Sequence, residues 1–240
     1  MRIFLGAMSA GVGIALVSPM MTAPAAALVH PGPGTVVRYD MNEQAGTTVM
    51  TDSISGINGV VDPSGVQSGF SVGGATGYHW VRRAPNLAPP SPERIVQVPD
   101  NPLLEPGSSS TFTLTIRYRT RENFGNITQK GQARSAGGQW KIQNPKGIPS
   151  CLFKGSQGRV ATGAKTPLND NAWHELECVK TQTSVTMFVD GVFRSRKVGV
   201  TGPIDNRVQM TVGGKLNCDQ VNTTCDYFSG DIDYIQIDRS

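Results

Sequence analysis

The sequence predicts an all-β protein in which antiparallel sheets pack as a sandwich. Its 240 residues include 28 glycines and 16 prolines, roughly 18% against the ~12% of average usage, which leaves little room for long helices. Hydrophobic residues make up 38% of the chain and are spread evenly, which argues against a disordered or fibrous protein. From Thr35 onward, short runs of β-branched and aromatic residues alternate with turn residues every ~8–12 positions, the spacing typical of a sandwich.

The clearest single strand is predicted at residues 111–120. Apolar side chains occupy every second position from Phe112 to Tyr118, and polar side chains occupy the positions between them, ending at Arg119. Successive residues of a strand point to opposite faces, so this strand is expected to bury one face and expose the other.

A hairpin is predicted over residues 185–198. Residues 185–189 and 192–198 flank Asp190-Gly191, a dipeptide that favours a two-residue turn with positive φ. The preceding run, residues 173–180, has capping residues that a helix could also use. The hairpin that follows makes it a neighbouring strand instead.

The remaining strands are predicted at 206–213 and 227–237, with Gly230 in the second as a bulge or a point of close approach. Residues 84–93 contain four prolines, too many for a strand interior, and are interpreted as a surface loop. No repeat and no second domain are found in the sequence.

The first 27 residues are typical of a secretory signal peptide. A basic start is followed by an apolar run and by small residues ending at Ala27. The apolar run is shorter than the roughly 20 residues that span a membrane. We therefore expect a secreted protein with one domain at 28–240 and no membrane span after cleavage. The net charge of +4 is too small to indicate a nucleic-acid partner.

Export changes the interpretation of the four cysteines, because disulfides persist outside the cytoplasm. Four cysteines allow three pairings. Cys218 and Cys225 bracket a short polar loop, whereas Cys151 and Cys178 both lie in strand-like runs. The pairing predicted is Cys151 with Cys178 and Cys218 with Cys225. A zinc site is the alternative, but no Cys-x-x-Cys spacing occurs.

Four segments together carry a family resemblance. They are YDMNEQAGTTVMTDSISGINGVV (39–61), FTLTIRYRT (112–120), NAWHELECVKTQTSVTMFVDG (171–191) and FSGDIDYIQI (228–237). These segments resemble the laminin-G-like, concanavalin A-like jelly rolls of secreted bacterial proteins. The resemblance implies two antiparallel sheets, one of them concave, with terminal strands near Val36 and Ile235 side by side.

The same resemblance implies several functions and one cofactor. Members of such families bind glycans, proteins or lipids, and some related folds hydrolyse polysaccharides, so the fold alone leaves the function open. Related jelly rolls often hold a structural Ca²⁺ ion. Asp233 matches the position of a carboxylate ligand, with carbonyl ligands expected near Glu43 or the 52–58 turn.

No catalytic arrangement is found in the sequence. Glycoside hydrolysis needs two carboxylates flanking the bond, and the nearest approach is Glu175-x-Glu177, about 6.6 Å apart along one strand face. With His174, Leu176 and Cys178 in the buried phase, both glutamates are expected to face solvent. Neither a Gly-x-Ser-x-Gly nucleophile nor a Walker phosphate loop occurs. We therefore expect a protein that is not an enzyme.

The candidate binding residues are Trp80, Arg117 and Arg119. The arginines share a strand face and can pair with acidic glycans, although a solvated face or a protected sheet edge is the favoured explanation. Trp80 precedes Arg82-Arg83 and the proline-rich segment, so it is the indole expected to be exposed for stacking on a sugar. The predicted function is a secreted glycan-binding module. The alternatives are a protein–protein adhesion or envelope domain and, less favoured, a polysaccharide hydrolase or lyase.

Overall fold

The computed structural model describes residues 34–72, 75–82, 94–107, 111–217 and 226–240. Three predictions lie outside these residues: the signal peptide at 1–27, the proline-rich segment at 84–93, and the bridge between Cys218 and Cys225.

The described residues form sixteen strands and two short 3-10 helices. The strands are β1 (Thr35–Tyr39), β2 (Val49–Met50), β3 (Gly59–Val61), β4 (Val66–Val72), β5 (Ala75–Trp80), β6 (Val96–Val98), β7 (Thr111–Arg119), β8 (Asn126–Lys130), β9 (Gln139–Gln143), β10 (Ser150–Gly155), β11 (Gly158–Gly163), β12 (His174–Thr181), β13 (Ser184–Val189), β14 (Val192–Val198), β15 (Met210–Val212) and β16 (Gly230–Arg239). The 3-10 helices span Pro102–Leu104 and Pro145–Gly147.

The strands assemble into two antiparallel sheets, as the sequence predicts. The first sheet has the order β14-β13-β12-β7-β16-β5-β4, with β1 added beside β16. The second has the order β11-β10-β9-β8-β15-β6-β3-β2. β1 pairs with β16 through Val37 opposite Ile237 and Tyr39 opposite Ile235, which confirms that the terminal strands lie side by side.

The core lies between the sheets and takes alternate residues from each strand. In β7, Phe112 and Tyr118 are almost fully buried, whereas Arg117 and Arg119 lie on the opposite, outer face. The ring of Phe112 lies 6.1 Å from that of Trp140 in the second sheet. Burial of such large apolar side chains is the main stabilising contribution in a sandwich of this kind.

One charged side chain is buried in the interior. Lys130 in β8 has no exposed surface, and its ammonium donates to the carboxylates of Asp100 and Glu105 and to both oxygens of Asn206. Because every acceptor is an oxygen and two are carboxylates, the charge is compensated inside the fold.

The β13–β14 hairpin has the predicted turn. Asp190 and Gly191 both have positive φ, at 52° and 72°. Gly230 is also the close-approach point that the sequence predicts, since a Cβ there would lie 2.3 Å from the carbonyl oxygen of Arg119. Glycine is therefore required at that position on steric grounds.

A disulfide joins the two sheets. Cys151 of β10 bonds to Cys178 of β12, with a Cα–Cα distance of 6.0 Å, and both residues are fully buried. The first half of the predicted pairing is confirmed. No described helix is long and apolar enough to cross a membrane.

Candidate binding groove

An open depression of about 410 Å³ lies on the outer face of the second sheet. Its floor and walls share a strongly polar character. They are formed by Asn126, Gln129, Gln132, Ala133, Gln139, Lys141, Leu152, Lys154, Arg159, Lys215 and Asp226. The volume falls within the range of about 300–1,000 Å³ that is typical of small-molecule sites.

Strand register places the floor residues side by side. Gln129 of β8 lies opposite Lys141 of β9, and Lys141 lies opposite Leu152 of β10. Lys141 points outward because its neighbours Trp140 and Ile142 fill the core. One row of the sheet thus presents an amide, an ammonium and an apolar side chain to the groove.

The second row of the floor is also cationic. Lys154 of β10 lies opposite Gln139 on one side and opposite Arg159 of β11 on the other. The Lys154 ammonium donates to the carbonyl oxygen of Ala133 over 2.7 Å, and this bond attaches the loop between β8 and β9 to the floor. A smaller depression of about 340 Å³ also contacts Lys154 and is lined by residues of the same loop.

Asn126 is the most deeply buried side chain of the groove. Only 1% of its surface is exposed. Its Nδ2 donates to Oε1 of Gln129 over 2.9 Å, whereas its Oδ1 accepts no hydrogen bond from any described residue. A buried polar atom without a partner costs free energy unless something else binds it, so it marks a point where a ligand would be stabilising.

Positive charge predominates in the groove. Lys141, Lys154, Arg159 and Lys215 are accompanied by one carboxylate among the described lining residues, Asp226. Lys215 Nζ lies 3.7 Å from that carboxylate. Burial lowers the pKa of Lys141 below its ordinary value of 10.5, and the like charges of Lys215 and Arg159 lower it further, while Asp226 opposes them.

Comparison with known proteins identifies the family. Residues 93–239, more than half of the chain, match a laminin G family model described as the concanavalin A-like lectin/glucanases superfamily. The chain belongs to this superfamily. The resemblance inferred from the sequence is thereby confirmed. No curated protein matches the chain.

Several solved members of this fold resemble the chain at low sequence identity. The binding domain of Paraclostridial Mosquitocidal Protein 1 matches with a TM-score of 0.57 and 16% identity, over 86% of this chain and 48% of that one. The binding domain of Botulinum Neurotoxin DC, solved in complex with SialylT, matches with a TM-score of 0.56 and 14% identity, over 85% and 47%. The chain thus spans about half of the length of these structures, and the likeness concerns the fold.

Within the superfamily fold, the predicted arginines lie on the other sheet. Arg117 and Arg119 share the outer face of β7, as their spacing predicts, and both approach the ring of Trp173, with Cζ to centroid distances of 5.0 and 5.3 Å. Arg117 donates to Asp233 and Arg119 to Asp231, so each guanidinium already has a carboxylate partner. Only 14% and 15% of the two arginine side chains are exposed.

The two glutamates considered for catalysis occupy the same outer face. Glu175 accepts a hydrogen bond from the hydroxyl of Tyr234. Burial raises the pKa of Glu177, and the neighbouring charges of Glu175 and Asp238 raise it further. The carboxylates beside Arg117 and Arg119 disfavour an anionic ligand at these two arginines.

The expectation that Trp80 is exposed is wrong. Its side chain is 1% exposed and packs against Phe228, with ring centroids 6.1 Å apart. The reason is the two-residue period of β5, in which Tyr78 and Trp80 point into the core while His79 takes the outer face. Trp80 is a core residue and cannot stack on a sugar in this arrangement.

The residues around Asp233 do not fit the expected calcium site. Its carboxylate accepts from the guanidinium of Arg117, and Arg38 also acts on it electrostatically. In the 52–58 turn, where carbonyl ligands are expected, the carbonyl oxygen of Ile57 accepts from the hydroxyl of Tyr39 over 2.7 Å. Among the described residues, no group of three or more His, Cys, Asp or Glu side chains could hold a metal ion.

Sequence reasoning missed the groove itself. The pattern Gln139-Trp140-Lys141-Ile142-Gln143 alternates with a period of two, so it carries the signal that Lys141 points outward. No local pattern indicates that β8 and β10 are the neighbours of this strand. Asn126 and Arg159 are therefore brought to it only by the sheet topology.

Proposed function

We propose that this chain is a secreted, non-catalytic carbohydrate-binding module that holds its ligand in the groove of the second sheet. The observation that carries the proposal is the buried Asn126 Oδ1, which lacks a donor among the described residues. That oxygen is covered in the structure, so a sugar hydroxyl donates to it once the Asn126 side chain turns toward the groove, while neighbouring amide and ammonium groups bind the oxygens of the same sugar.

The lining of the groove supports recognition by hydrogen bonds and charge. The described lining residues include no aromatic ring, and Leu152 is their largest apolar side chain. Without a ring to stack on, the sugar is held by polar contacts that compete with water. We therefore expect weak binding that strengthens when several sugar units are engaged.

The distribution of carboxylates supports a non-catalytic role. Hydrolysis by the usual mechanism requires two carboxyl groups flanking the scissile bond. Asp226 is the one carboxylate among the described lining residues, and it lies beside Lys215. The pair Glu175 and Glu177 lies on the opposite sheet, away from the groove.

The relatives and the disulfide are compatible with this role. One matched toxin domain was solved in complex with SialylT, and botulinum neurotoxin type C, another match, depends on interaction with two ganglioside molecules to enter cells. The Cys151–Cys178 bridge suits an oxidising compartment, which supports secretion.

The proposal is tested by a glycan array followed by calorimetric titration of the best ligand. Replacing Asn126 by Ala should weaken binding roughly tenfold, because it removes the carbonyl acceptor and the support of Gln129. The matched control is Gln67→Ala, which removes an exposed amide from the first sheet. Absence of any glycan ligand, or equal affinity of the Asn126 variant and the unchanged protein, would contradict the proposal.

The non-catalytic part has its own assay. Incubation with the bound polysaccharide should release no reducing ends over background. Release that depends on Glu175 or Glu177 would instead identify a hydrolase.

A second candidate function is adhesion to a cell-envelope protein through β14. This strand ends the order of the first sheet, and Val192, Phe193 and Val198 are 53%, 57% and 70% exposed. An exposed edge with apolar side chains can accept a strand from a partner. Phe193→Lys should then abolish capture of one defined envelope protein and leave glycan binding unchanged. If the Phe193→Lys variant still captures the protein, adhesion through β14 is excluded and only the glycan proposal remains.

A further inference from the structure

We infer that the groove selects sugars that carry an anionic group, a carboxylate or a sulfate ester, beside a free hydroxyl. This inference rests on the proposed function, since it names the class of glycan bound at the same site. Two observations support it. Some cations of the groove have a described partner and others do not, and the Oδ1 atom of Asn126 accepts no hydrogen bond from any described residue.

The cations of the groove differ in how far they are compensated. Lys215 lies near the carboxylate of Asp226, and Lys154 donates to a backbone carbonyl. Lys141 and Arg159 have no ion-pair or hydrogen-bond partner among the described residues. The unpaired positive charge is therefore concentrated at two positions, one on the floor of the groove and one exposed at its edge.

Lys141 is the cation whose charge a bound anion would stabilise most. It is half-buried, and burial lowers its pKa, so its charge is less well solvated than on an open surface. Ion pairs and charge-assisted hydrogen bonds are stronger where water is partly excluded than on an open surface. A carboxylate or sulfate above Lys141 replaces the missing solvation, and Arg159 provides a planar fork for a second contact.

Asn126 requires more than an anion. Its Oδ1 can only accept a hydrogen bond, so a carboxylate or sulfate oxygen cannot satisfy it, whereas a hydroxyl can. Asn126 bonds to Gln129, and Gln129 lies directly opposite Lys141. Cross-strand neighbours have Cβ atoms about 4.5–5.5 Å apart, so the hydroxyl and the anionic group can belong to one sugar or to adjacent sugars.

The arginines of β7 on the other sheet do not supply this selectivity. Arg117 and Arg119 are each paired with an aspartate, and further carboxylates surround them. An acidic sugar on that face would have to displace existing ion pairs. Preference for acidic glycans thus belongs to the groove and depends on Lys141.

The test is calorimetric titration of the full chain with matched ligands at pH 7. The probes are an oligomer of galacturonic acid, its methyl ester, an oligomer of galactose and its sulfate ester. The protein variants are Lys141→Met, which removes the charge at similar length, and Lys197→Met, a matched control on the exposed part of β14. Thermal unfolding of both variants verifies that they are folded.

We expect at least one acidic oligomer to bind about tenfold more tightly than its neutral partner. The Lys141→Met variant should lose that preference, so that it binds acidic and neutral oligomers with equal affinity, and the Lys197→Met variant should keep it. The carboxylate and sulfate arms distinguish the two anions. Equal affinity for acidic and neutral oligomers would overturn this inference and leave the proposed function intact. If none of the four oligomers and no glycan on the array binds, both fail.

Discussion

Removal of the Cys151–Cys178 disulfide is predicted to lower the free energy of unfolding by an amount set by the length of the loop that the bridge closes. The bridge closes a sequence separation of 27 residues and joins a strand of each sheet. Loop-closure entropy for that length corresponds to about 3.5 kcal/mol at 25 °C. In a domain of this size such a loss lowers the unfolding midpoint by roughly 7–14 °C.

The assay is urea unfolding of the Cys151→Ala/Cys178→Ala variant, followed by tryptophan fluorescence. The matched control is Cys218→Ala/Cys225→Ala, for which the predicted shorter loop gives about 2.4 kcal/mol. A loss below about 1 kcal/mol for the first variant would refute the reasoning. Peptide mapping without reduction checks the second bridge, and a Cys178–Cys218 peptide would show that the predicted pairing is wrong.

Three further predictions follow from individual side chains. Lys130→Met should lower the free energy of unfolding in urea by roughly 3 kcal/mol, because it leaves two carboxylates without their cation. The control is Lys180→Met, at a buried lysine for which no partner is described, and this change should cost little. Equal losses for the two variants would contradict the prediction. The pKa of Glu177 is raised in the fold above its ordinary value of 4.5, so its ionisation lowers stability as pH rises beyond that value. Glu177→Gln should therefore raise the melting temperature at pH 7 and have no effect below about pH 4; a constant difference across pH would refute the assignment. Because Asp233 is bonded to Arg117, adding Ca²⁺ or a chelator should not change the melting temperature, and a rise of several degrees with Ca²⁺ would restore the calcium site.

Local sequence patterns are sufficient to predict the strands in which apolar and polar residues alternate strictly. The run predicted at 111–120 is β7, and the Asp190-Gly191 turn has the positive φ values that its residues favour. The pairing of Cys151 with Cys178 was also predictable, because both lie in the buried phase of their strands. These features depend on a few neighbouring residues, which one sequence displays.

Features that depend on partners from distant strands were not predictable in the same way. Arg117 and Arg119 look available in the sequence, but β16 brings Asp231 and Asp233 beside them. Trp80 looked exposed from its charged and proline-rich sequence neighbours, whereas the phase of β5 places it in the core. The groove depends on the register of four strands, and no motif encodes that register.

The two outer faces of the sandwich therefore have different chemistry. On the first sheet, Arg117 and Arg119 are each paired with an aspartate. On the second, Lys141 and Arg159 are left without a described partner beside an orphan amide oxygen. Charge left uncompensated at a partly buried position costs stability, which is a common property of binding sites.

The most direct test of the central claim is an NMR titration of the ¹⁵N-labelled protein with the oligomer of galacturonic acid. If the groove is the binding site, the side-chain amide signals of Asn126 and Gln129 and the backbone signal of Lys141 should shift in a saturable way. Signals from Arg117 and the indole of Trp173 should stay in place. Shifts concentrated on that second group, with Asn126 unchanged, would contradict the account and assign binding to the first sheet.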